Sequence, residues 1–382
     1  MRPFPGPGPA GGVSPDALGA LPYVIAALIA STVASLVLTP LAIRLAPRLG
    51  AIDVPNDARR VHSRPIPRTG GLAVAVSFLG VGALGLLANQ VFHLTLPGRP
   101  VRATELAALF IGVAVGAAFG YLDDRLQLKA RWQFIAQFLL AGVALAGGVL
   151  INRLPEPLGP ITDAAAMAAT TIWIVGMLNS VNFVDGLDGL LAGISLIAVA
   201  TLGINSLFTA SIQPVVAMLC ALLAGALLGF LPYNFHPARV FIGTSGVFAV
   251  GYALAVLSVL GTAKVALALL VLGVPIIDTF WIILRRVSAG RSPFSADRGH
   301  FHHRLLDLGL SHRQAVLLIY FICSILALLS LALPSGGQIT VFLLIVLGGG
   351  ALLYLLTRRA REALDRSSYD EDEAGSGSPE NE

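Results

Sequence analysis

The sequence has few charged residues for its length. Aspartate, glutamate, lysine and arginine make up 12% of the 382 residues, whereas a soluble globular protein has roughly 25%. Apolar residues make up 56%, which is more than a soluble domain can bury, because its surface grows too quickly with size. Disorder is excluded for the bulk of the chain, since disordered chains are charged and poor in apolar residues. An integral membrane protein remains.

Cysteine is almost absent. The two cysteines, Cys220 and Cys323, both lie in apolar runs. They offer neither a disulfide framework nor a metal-binding pattern, so we interpret them as small core residues. A transmembrane β-barrel is excluded as well, because the apolar runs are continuous and do not alternate with polar residues. The sequence therefore predicts an all-α, polytopic helical bundle in the membrane.

A helix that spans a membrane needs about 20 mostly apolar residues, and the chain has eleven such stretches. They are Leu21–Ile43, Gly70–Phe92, Thr104–Leu122, Gln133–Ile151, Ala164–Leu178, Leu190–Leu207, Pro214–Leu231, Gly246–Leu260, Ala263–Leu284, Ala315–Leu333 and Ile339–Leu356. We predict a membrane domain over residues 21–357. A disordered Pro/Gly-rich N-terminus, 1–20, precedes it, and an acidic cytoplasmic tail, 358–382, follows it.

The distribution of lysine and arginine predicts the orientation, because these residues concentrate in cytoplasmic loops. With eleven spans the two termini face opposite sides. An outside N-terminus puts 20 of the 25 lysines and arginines in inner segments. We therefore predict a multi-pass protein of the plasma membrane with its N-terminus outside and its C-terminus inside.

Two inner segments carry unusual polar residues at the membrane boundary. Arg44–Gly71 ends in RRVHSRPIPRTGG, a basic segment that proline stiffens and two glycines close. Asp123 and Asp124 directly follow the third span. Adjacent carboxylates repel each other there and are costly unless a cation or a base lies between them. An exposed pair that only ends the helix is disfavoured, because acids near a helix C-terminus oppose the helix dipole.

A third segment, NSVNFVDGLDGL, has a polar residue at every third position: Asn179, Asn182, Asp185 and Asp188. On a helix or a 3₁₀-like stretch this spacing puts them near one face. Their oxygen atoms suit Mg²⁺ that is bound together with phosphate oxygens. A simple turn needs two or three Asn, Asp and Gly residues rather than six in eleven. We therefore favour a functional site.

Two further segments suit phosphate binding. Residues 241–246, FIGTSG, form a Gly-rich turn that opens a helix and resembles a phosphate cradle, although a simple loop explains it equally well. Arg285–Arg313 contains RSPFSADRGHFHHRL. A zinc site is one interpretation of its histidines, but the spacing is poor and no Cys or Glu completes a set. Recognition of phosphate or sugar by a cation-rich loop is the better interpretation.

Together these segments place carboxylates, amides, a Gly turn, arginines and histidines at the inner mouth of a bundle. Phosphoryl transfer needs groups of these kinds, because the protein must position phosphates and neutralise their charge, with the help of a metal ion. A site in the membrane implies that one substrate is a lipid. The alternative from another class is a transporter of anionic solutes, which predicts charged residues at mid-membrane.

The chain resembles the polyprenyl-phosphate N-acetylhexosamine-1-phosphate transferases, which include undecaprenyl-phosphate GlcNAc-1-phosphate transferases and phospho-MurNAc-pentapeptide transferases. Six segments between residues 40 and 313 carry the resemblance, in family order: PNDARRVHSRPIPRTGG, YLDDRLQLKARWQFIAQ, NSVNFVDGLDGLLAGIS, FIGTSG, GVPIIDTFWIILRR and HFHHRLL. The resemblance implies a UDP-N-acetylhexosamine donor and a polyprenyl phosphate acceptor. It also implies release of UMP, a Mg²⁺ cofactor with Mn²⁺ as the alternative, and an active site that faces the cytoplasm.

The resemblance also implies roles for individual residues. The catalytic residues are Asp123, Asp124, Asp185 and Asp188, of which Asp123 is the one expected to deprotonate or orient the lipid phosphate. The metal ligands are Asn182, Asp124 and Thr244. The residues expected to bind substrate are Arg68, Arg131, Asn179, Gly243, Ser245, Arg298, His300, His302, His303 and Arg304. No nucleic-acid partner is expected, and a homodimer is left open.

One position departs from the family pattern. The family segment usually reads Phe-x-Gly-Asp-x-Gly, and its Asp is a metal ligand, whereas this chain has Thr244 there. A neutral hydroxyl is a poorer Mg²⁺ ligand than a carboxylate, so a catalytically impaired relative is one alternative. A phospho-MurNAc-pentapeptide transferase is another. The His-x-His-His pattern at residues 300–303 resembles the GlcNAc-type enzymes rather than the run of three adjacent histidines in the pentapeptide enzymes.

Overall fold

The computed structural model describes residues 15–53, 65–92, 101–151, 160–208, 212–261, 264–273, 276–278, 282, 286, 301–334 and 336–348. Within them the helices are α1 (Pro15–Leu49), α2 (Gly70–Phe92), α3 (Ala103–Leu126), α4 (Ala130–Ala146), α5 (Pro160–Val184), α6 (Leu190–Phe208), α7 (Pro214–Asn234), α8 (Gly243–Leu260), α9 (Lys264–Val271), α10 (Phe301–Asp307), α11 (His312–Ala332) and α12 (Gly336–Gly348). Two short strands, β1 (Ile52–Asp53) and β2 (Ile66–Pro67), pair antiparallel between α1 and α2.

The fold is helical, as predicted, and its helices match the apolar stretches. In the described part of the chain, eight helices are long and apolar enough to cross a membrane, and α4 and α12 are apolar but shorter. These ten helices overlap ten of the predicted spans. The remaining span, Ala263–Leu284, overlaps α9, and much of it lies outside the described residues. The count of eleven and the orientation of the termini therefore stay predictions.

Several helix ends differ from the predicted boundaries. α1 begins at Pro15, inside the segment predicted to be disordered, because proline in the first turn and Asp16 beside it favour a helix start. α5 continues to Val184, six residues beyond the predicted end. The predicted acidic tail, 358–382, lies outside the described residues.

The packing of α3 on α8 depends on glycines spaced four residues apart. A Cβ added to Gly112 would lie 2.0 Å from the ring of Tyr252, and one added to Gly120 would lie 2.4 Å from the Cα of Ser245. Such contacts are far closer than atoms tolerate, so only glycine allows this approach of the two backbones. Small residues at this spacing are typical of close helix packing in membranes. The glycine stripe therefore fixes how the end of α3 meets the start of α8.

The start of α2 lies beside the start of α8 through backbone hydrogen bonds. The Phe241 nitrogen donates to the Pro67 oxygen at 2.8 Å, and the Gly70 nitrogen donates to the Phe241 oxygen at 3.1 Å. The Gly71 nitrogen donates to the Ile242 oxygen at 2.8 Å. The segments PRTGG and FIGTSG, which are far apart in sequence, thus form one unit at one end of the bundle.

Candidate active site

The stripe of small residues on α3 leads to Asp124, one helical turn after the last of its glycines. Oδ1 of Asp124 accepts a hydrogen bond from the Thr244 nitrogen at 2.8 Å, and Oδ2 accepts one from the Ser245 nitrogen at 3.0 Å. The side chain of Asp124 is buried. It therefore caps the N-terminus of α8, where free N–H groups and the helix dipole stabilise negative charge.

Gly243 allows this approach of the carboxylate. Its φ is +67°, a conformation that favours glycine, and an added Cβ would lie 2.6 Å from Oδ2 of Asp124. The side chain of Ser245 is buried and faces the Ile242 oxygen. Two N–H groups of the predicted phosphate cradle are thus bound to a carboxylate of the protein. The roles of Gly243 and Ser245 in substrate binding stay predictions.

Arg68 lies at the same end of the bundle. Its backbone nitrogen donates to the Ala51 oxygen at 2.9 Å, and its Nη2 lies 3.0 Å from Oδ2 of Asp53 on β1. Its positive charge also acts on Asp124 and on Asp185. We call Arg68, Asp124 and Asp185 the acidic cluster, because two carboxylates share one arginine there.

Asp185 directly follows the last residue of α5. Its side chain is exposed on one side, although protein surrounds it elsewhere. Loss of hydration and the nearby Asp124 and Asp188 carboxylates raise the pKa of the Asp185 carboxyl, Arg68 lowers it, and the net result is a pKa of about 7. The backbone nitrogen of Asp185 donates to the Asn182 oxygen at 3.3 Å, so Asn182 lies one turn earlier. The roles of Asn182 and Asp185 at the site stay predictions.

Asp123 has a different environment from Asp124. Its Oδ1 accepts from the Leu128 nitrogen at 3.1 Å, and its Oδ2 accepts from Nε2 of Gln133 at 3.1 Å. The carboxylate is buried and holds together the turn between α3 and α4. The structure therefore gives Asp123 hydrogen bonds within this turn, and its predicted contact with the lipid phosphate stays a prediction.

Asn179 and Arg131 make their contacts with residues other than those of the acidic cluster. The amide of Asn179 pairs with that of Gln137 on α4, at 2.8 Å from Nδ2 to Oε1. This pair explains why α5 continues through a polar residue, because the amide is satisfied inside the bundle. Arg131 is exposed at the start of α4, with its guanidinium 5.6 Å from the centre of the Trp132 ring. Their roles in substrate binding stay predictions.

Asp188 pairs with a histidine that the sequence interpretation did not select. Its Oδ2 lies 2.8 Å from Nδ1 of His236 and accepts a hydrogen bond from the Ala238 nitrogen at 3.1 Å. The His236 ring stacks on that of His312. Neither histidine belongs to the HFHHRLL segment, and only the His-Pro step after α7 could have drawn attention to His236.

The predicted histidine loop is described only in part. Arg298 and His300 lie outside the described residues, and the backbones of His302 and His303 belong to α10. Arg304 is half-buried on α10, and the next residue, Leu305, packs in the same apolar cluster as Val184 and Leu187. α10 therefore lies against the loop that carries Asp185, as a shared site requires.

The acidic cluster suits a divalent cation. Asp124 and Asp185 repel each other, as the effect of one carboxylate on the other's pKa indicates, and a cation between them relieves this repulsion. Each Asp124 oxygen accepts one N–H bond, which leaves a second lone pair for a ligand. The predicted ligands Asn182 and Thr244 each bond to a member of the cluster through the backbone, and their side chains would add neutral oxygens, the ligand type that Mg²⁺ prefers.

The fold and this cluster together define a polytopic membrane protein whose polar groups at one end of the bundle suit phosphate and metal. Comparison with known proteins gives a narrower class. A family model for glycosyl transferase family 4 matches residues 106–262.

Relatives matched over most of their length agree with this family. The chain is 36% identical over 325 residues to a protein of Bacillus subtilis named "Probable undecaprenyl-phosphate N-acetylglucosaminyl 1-phosphate transferase", with 82% of this chain and 86% of that protein covered. It is 36% identical over 353 residues to "Decaprenyl-phosphate N-acetylglucosaminephosphotransferase" of Mycobacterium tuberculosis, with 84% and 86% covered. A Yersinia pestis "Undecaprenyl-phosphate alpha-N-acetylglucosaminyl 1-phosphate transferase" is 29% identical over 340 residues, with 83% and 88% covered. The chain belongs to glycosyl transferase family 4, within its branch of polyprenyl-phosphate GlcNAc-1-phosphate transferases.

Proposed function

We propose that this protein transfers GlcNAc-1-phosphate from UDP-GlcNAc to a polyprenyl phosphate and releases UMP. The names of its relatives support the donor and the acceptor. The observation that carries the proposal is the position of Asp124, which joins the start of α8 to the acidic cluster. The reaction would be the first membrane step in the synthesis of a cell-wall or surface polysaccharide.

The reaction exchanges one phosphoanhydride for another. An oxygen of the lipid phosphate attacks the β-phosphorus of the donor. The bond from that phosphorus to the bridging oxygen breaks, and UMP leaves with the electron pair. A phosphate monoester has its second pKa near 6, so the acceptor is largely ionised at neutral pH. The protein must therefore position charged groups more than it must remove a proton.

The described residues divide this work. Asp124 and Asp185, with Asn182 and Thr244, would hold the divalent cation, which we propose to be Mg²⁺ with Mn²⁺ as a substitute. The cation would neutralise charge that develops on the diphosphate. Arg68 would neutralise charge on phosphate oxygens beside it. Asp123 would keep the turn after α3 in place. We assign donor recognition to the loop that carries Arg298 to Arg304.

The proposed site faces the cytoplasm. The starts of α2 and α8 and the end of α3 lie at one end of the bundle, and the inner loops predicted from the basic residues are the ones that carry these ends. The same orientation puts the N-terminus outside and the C-terminus inside.

The test is UMP release by the purified full-length protein in detergent, with undecaprenyl phosphate and a panel of UDP-sugars. We expect UMP and a lipid-diphosphate-GlcNAc product with UDP-GlcNAc, both of which require the lipid and a divalent cation. UDP-MurNAc-pentapeptide separates the two transferase types, and product formed only from it would contradict the GlcNAc proposal. If the folded protein released no UMP from any donor, the result would support the alternative of a catalytically impaired relative, which the threonine at position 244 suggests.

A further inference from the structure

Three potential metal ligands outside the acidic cluster come together from separate parts of the chain. Asp188 lies between α5 and α6, His236 follows α7, and His312 begins α11. One ligand atom from each lies within 4.8 Å of the others. Among the described residues, these three carboxylate and imidazole side chains lie close enough together to hold a metal ion. We call them the Asp-His-His cluster.

The three side chains already contact one another. Nδ1 of His236 lies 2.8 Å from Oδ2 of Asp188. The rings of His236 and His312 are stacked, with centroids 4.1 Å apart and an interplanar angle of 18°. The side-chain pairing thus brings two imidazoles and one carboxylate to the same place.

His312 gives an independent indication that a ligand belongs there. Its Nε2 atom is buried and has no hydrogen-bond partner among the described residues. A buried polar atom without a partner costs about 1–3 kcal/mol, so such atoms usually have a specific reason. A neutral imidazole nitrogen is also the commonest protein ligand for transition metals. A bound cation would satisfy this atom.

Hydrogen bonds hold the three segments in place around the cluster. Nε of Arg313 donates to the His236 oxygen at 3.1 Å, which ties α11 to the segment after α7. The Gly189 nitrogen donates to Oδ1 of Asn234 at 3.1 Å, and the hydroxyl of Tyr320 donates to the Gly189 oxygen. The backbone that carries each ligand is therefore fixed before any metal binds, which lowers the cost of binding.

We propose that Asp188, His236 and His312 form a binding site for a late first-row divalent cation, represented by Zn²⁺. Two imidazoles and a carboxylate suit such a cation and disfavour Mg²⁺, which prefers oxygen ligands. Three protein ligands leave a fourth position for water or another molecule. Tetrahedral ligands at zinc lie about 3.4 Å apart, so a bound ion would draw these atoms closer together than the 4.8 Å within which they lie. The site lies beside the acidic cluster, because the Asp188 carboxylate acts on Asp185, and its metal affinity can be measured without the transferase reaction.

Zinc binding to the full-length protein tests the proposal. The protein is purified in detergent with a tag that lacks histidine, treated with a chelator and kept in excess Mg²⁺ so that oxygen-only sites are filled. Competition with a chromogenic chelator then measures the Zn²⁺ affinity. We expect one tightly bound Zn²⁺ per chain, and at least about a 100-fold loss of affinity in His236→Asn and in His312→Gln, which each lose a ligand.

Matched variants separate this site from the other histidines. His93→Asn should bind Zn²⁺ as the wild type does, and so should a variant in which His300, His302 and His303 are all replaced by Asn. Loss of binding in that triple variant, with full binding in His236→Asn, would place the zinc in the histidine loop and overturn the proposal. Absence of tight binding in the wild type would overturn it as well.

His236→Cys gives a positive test that a merely destabilised variant cannot pass. A thiolate is a zinc and cobalt ligand, so we expect this variant to keep tight Zn²⁺ binding. With Co²⁺ it should gain a sulfur-to-metal charge-transfer band that the wild type lacks. Binding of Co²⁺ without this band would show that position 236 does not ligate the metal. Melting temperatures of all variants, measured without metal, confirm that each one is folded.

Discussion

The Oδ1 atom of Asp124 lies 2.8 Å from the backbone nitrogen of Thr244. This contact joins the end of α3 to the start of α8 across 120 residues of sequence. It makes one carboxylate both the cap of a helix and a member of the acidic cluster. Substitutions at this contact and in the helices that create it should therefore affect activity and stability in separable ways.

The first prediction concerns Asp124→Asn. The amide has one oxygen where two backbone N–H groups need an acceptor, and it removes the negative charge from the acidic cluster. We expect turnover to fall by about 10²-fold or more, the scale for losing a positioned electrostatic group, and stability to fall by about 1 kcal/mol for the weakened cap. The measurements are UMP release and a melting curve.

Asp163→Asn is the matched control, because Asp163 is exposed in the first turn of α5, at the opposite end of that helix from Asp185. It should leave turnover unchanged. Equal turnover in Asp124→Asn and Asp163→Asn would remove Asp124 from the site.

The second prediction concerns the close approach of α3 and α8. In Gly120→Ala the new methyl group would lie 2.4 Å from the Ser245 Cα, so the two backbones must separate. Overpacking of this kind costs about 1–3 kcal/mol, and it also moves Asp124 away from α8. We expect a lower melting temperature and lower turnover.

Gly142→Ala on α4 is the control for this change, since nothing lies within 4 Å of its added Cβ. It should keep or raise the melting temperature, because alanine favours the helix more than glycine does. A Gly120→Ala protein as stable and as active as Gly142→Ala would contradict the described packing.

The sequence alone predicted the apolar helices well, and physical reasons explain where it failed. α2 was predicted to the residue as Gly70–Phe92, because a continuous apolar run starts there after a polar loop. The predicted fifth span ended at Leu178 because Asn179 is polar. The helix continues to Val184, since Gln137 on a neighbouring helix satisfies the Asn179 amide. A partner on another helix cannot be seen in a local pattern.

The sequence predicted which residues belong to the site, but it did not predict which of them contact one another. The spacing of Asp185 and Asp188 suggested a shared face, yet Asp188 pairs with His236, which is 48 positions away. The Gly-rich turn suggested a phosphate cradle, yet Asp124 occupies two of its N–H groups. Pairings over such distances depend on how the helices pack, and no motif encodes them directly.

The third prediction concerns pH. The folded-state pKa of Asp185 is about 7, above the usual value for aspartate, so the carboxyl takes up a proton as the pH falls through 7. Activity that needs the carboxylate should fall over the same range. Because a divalent cation favours the ionised form, higher Mg²⁺ should move the acid limb of kcat/KM to lower pH.

Asp185→Asn separates this effect from ionisation of the substrates. Its residual activity should keep an acid limb at lower pH than the wild type, from the substrate phosphates and from Asp124, whose pKa burial raises to about 6. An identical Mg²⁺-dependent shift in the variant and the wild type would show that another group titrates.

The fourth prediction concerns topology. Single cysteines at Ser14 and at Ser376, in a protein from which Cys220 and Cys323 have been removed, report the side of each terminus. With an odd number of spans and the N-terminus outside, an impermeant thiol reagent should label position 14 in intact cells and position 376 only after lysis. Labelling of both positions in intact cells would require an even number of spans.

The last prediction concerns Thr244, whose backbone already touches the Asp124 carboxylate. A carboxylate at this position lies beside the proposed cation, and an added opposite charge at a partly dehydrated site is worth about 1–4 kcal/mol. We expect Thr244→Asp to lower the Mg²⁺ concentration for half-maximal UMP release by about tenfold or more, since about 1.4 kcal/mol corresponds to tenfold. Turnover is a separate readout, because a more tightly bound metal also retains UMP for longer.

Thr244→Asn is the control, because asparagine has nearly the size of aspartate without the charge, and it should leave the Mg²⁺ requirement near that of the wild type. A Mg²⁺ requirement in Thr244→Asp that is unchanged or higher would mean that position 244 does not face the cation, or that the added charge repels the donor diphosphate instead.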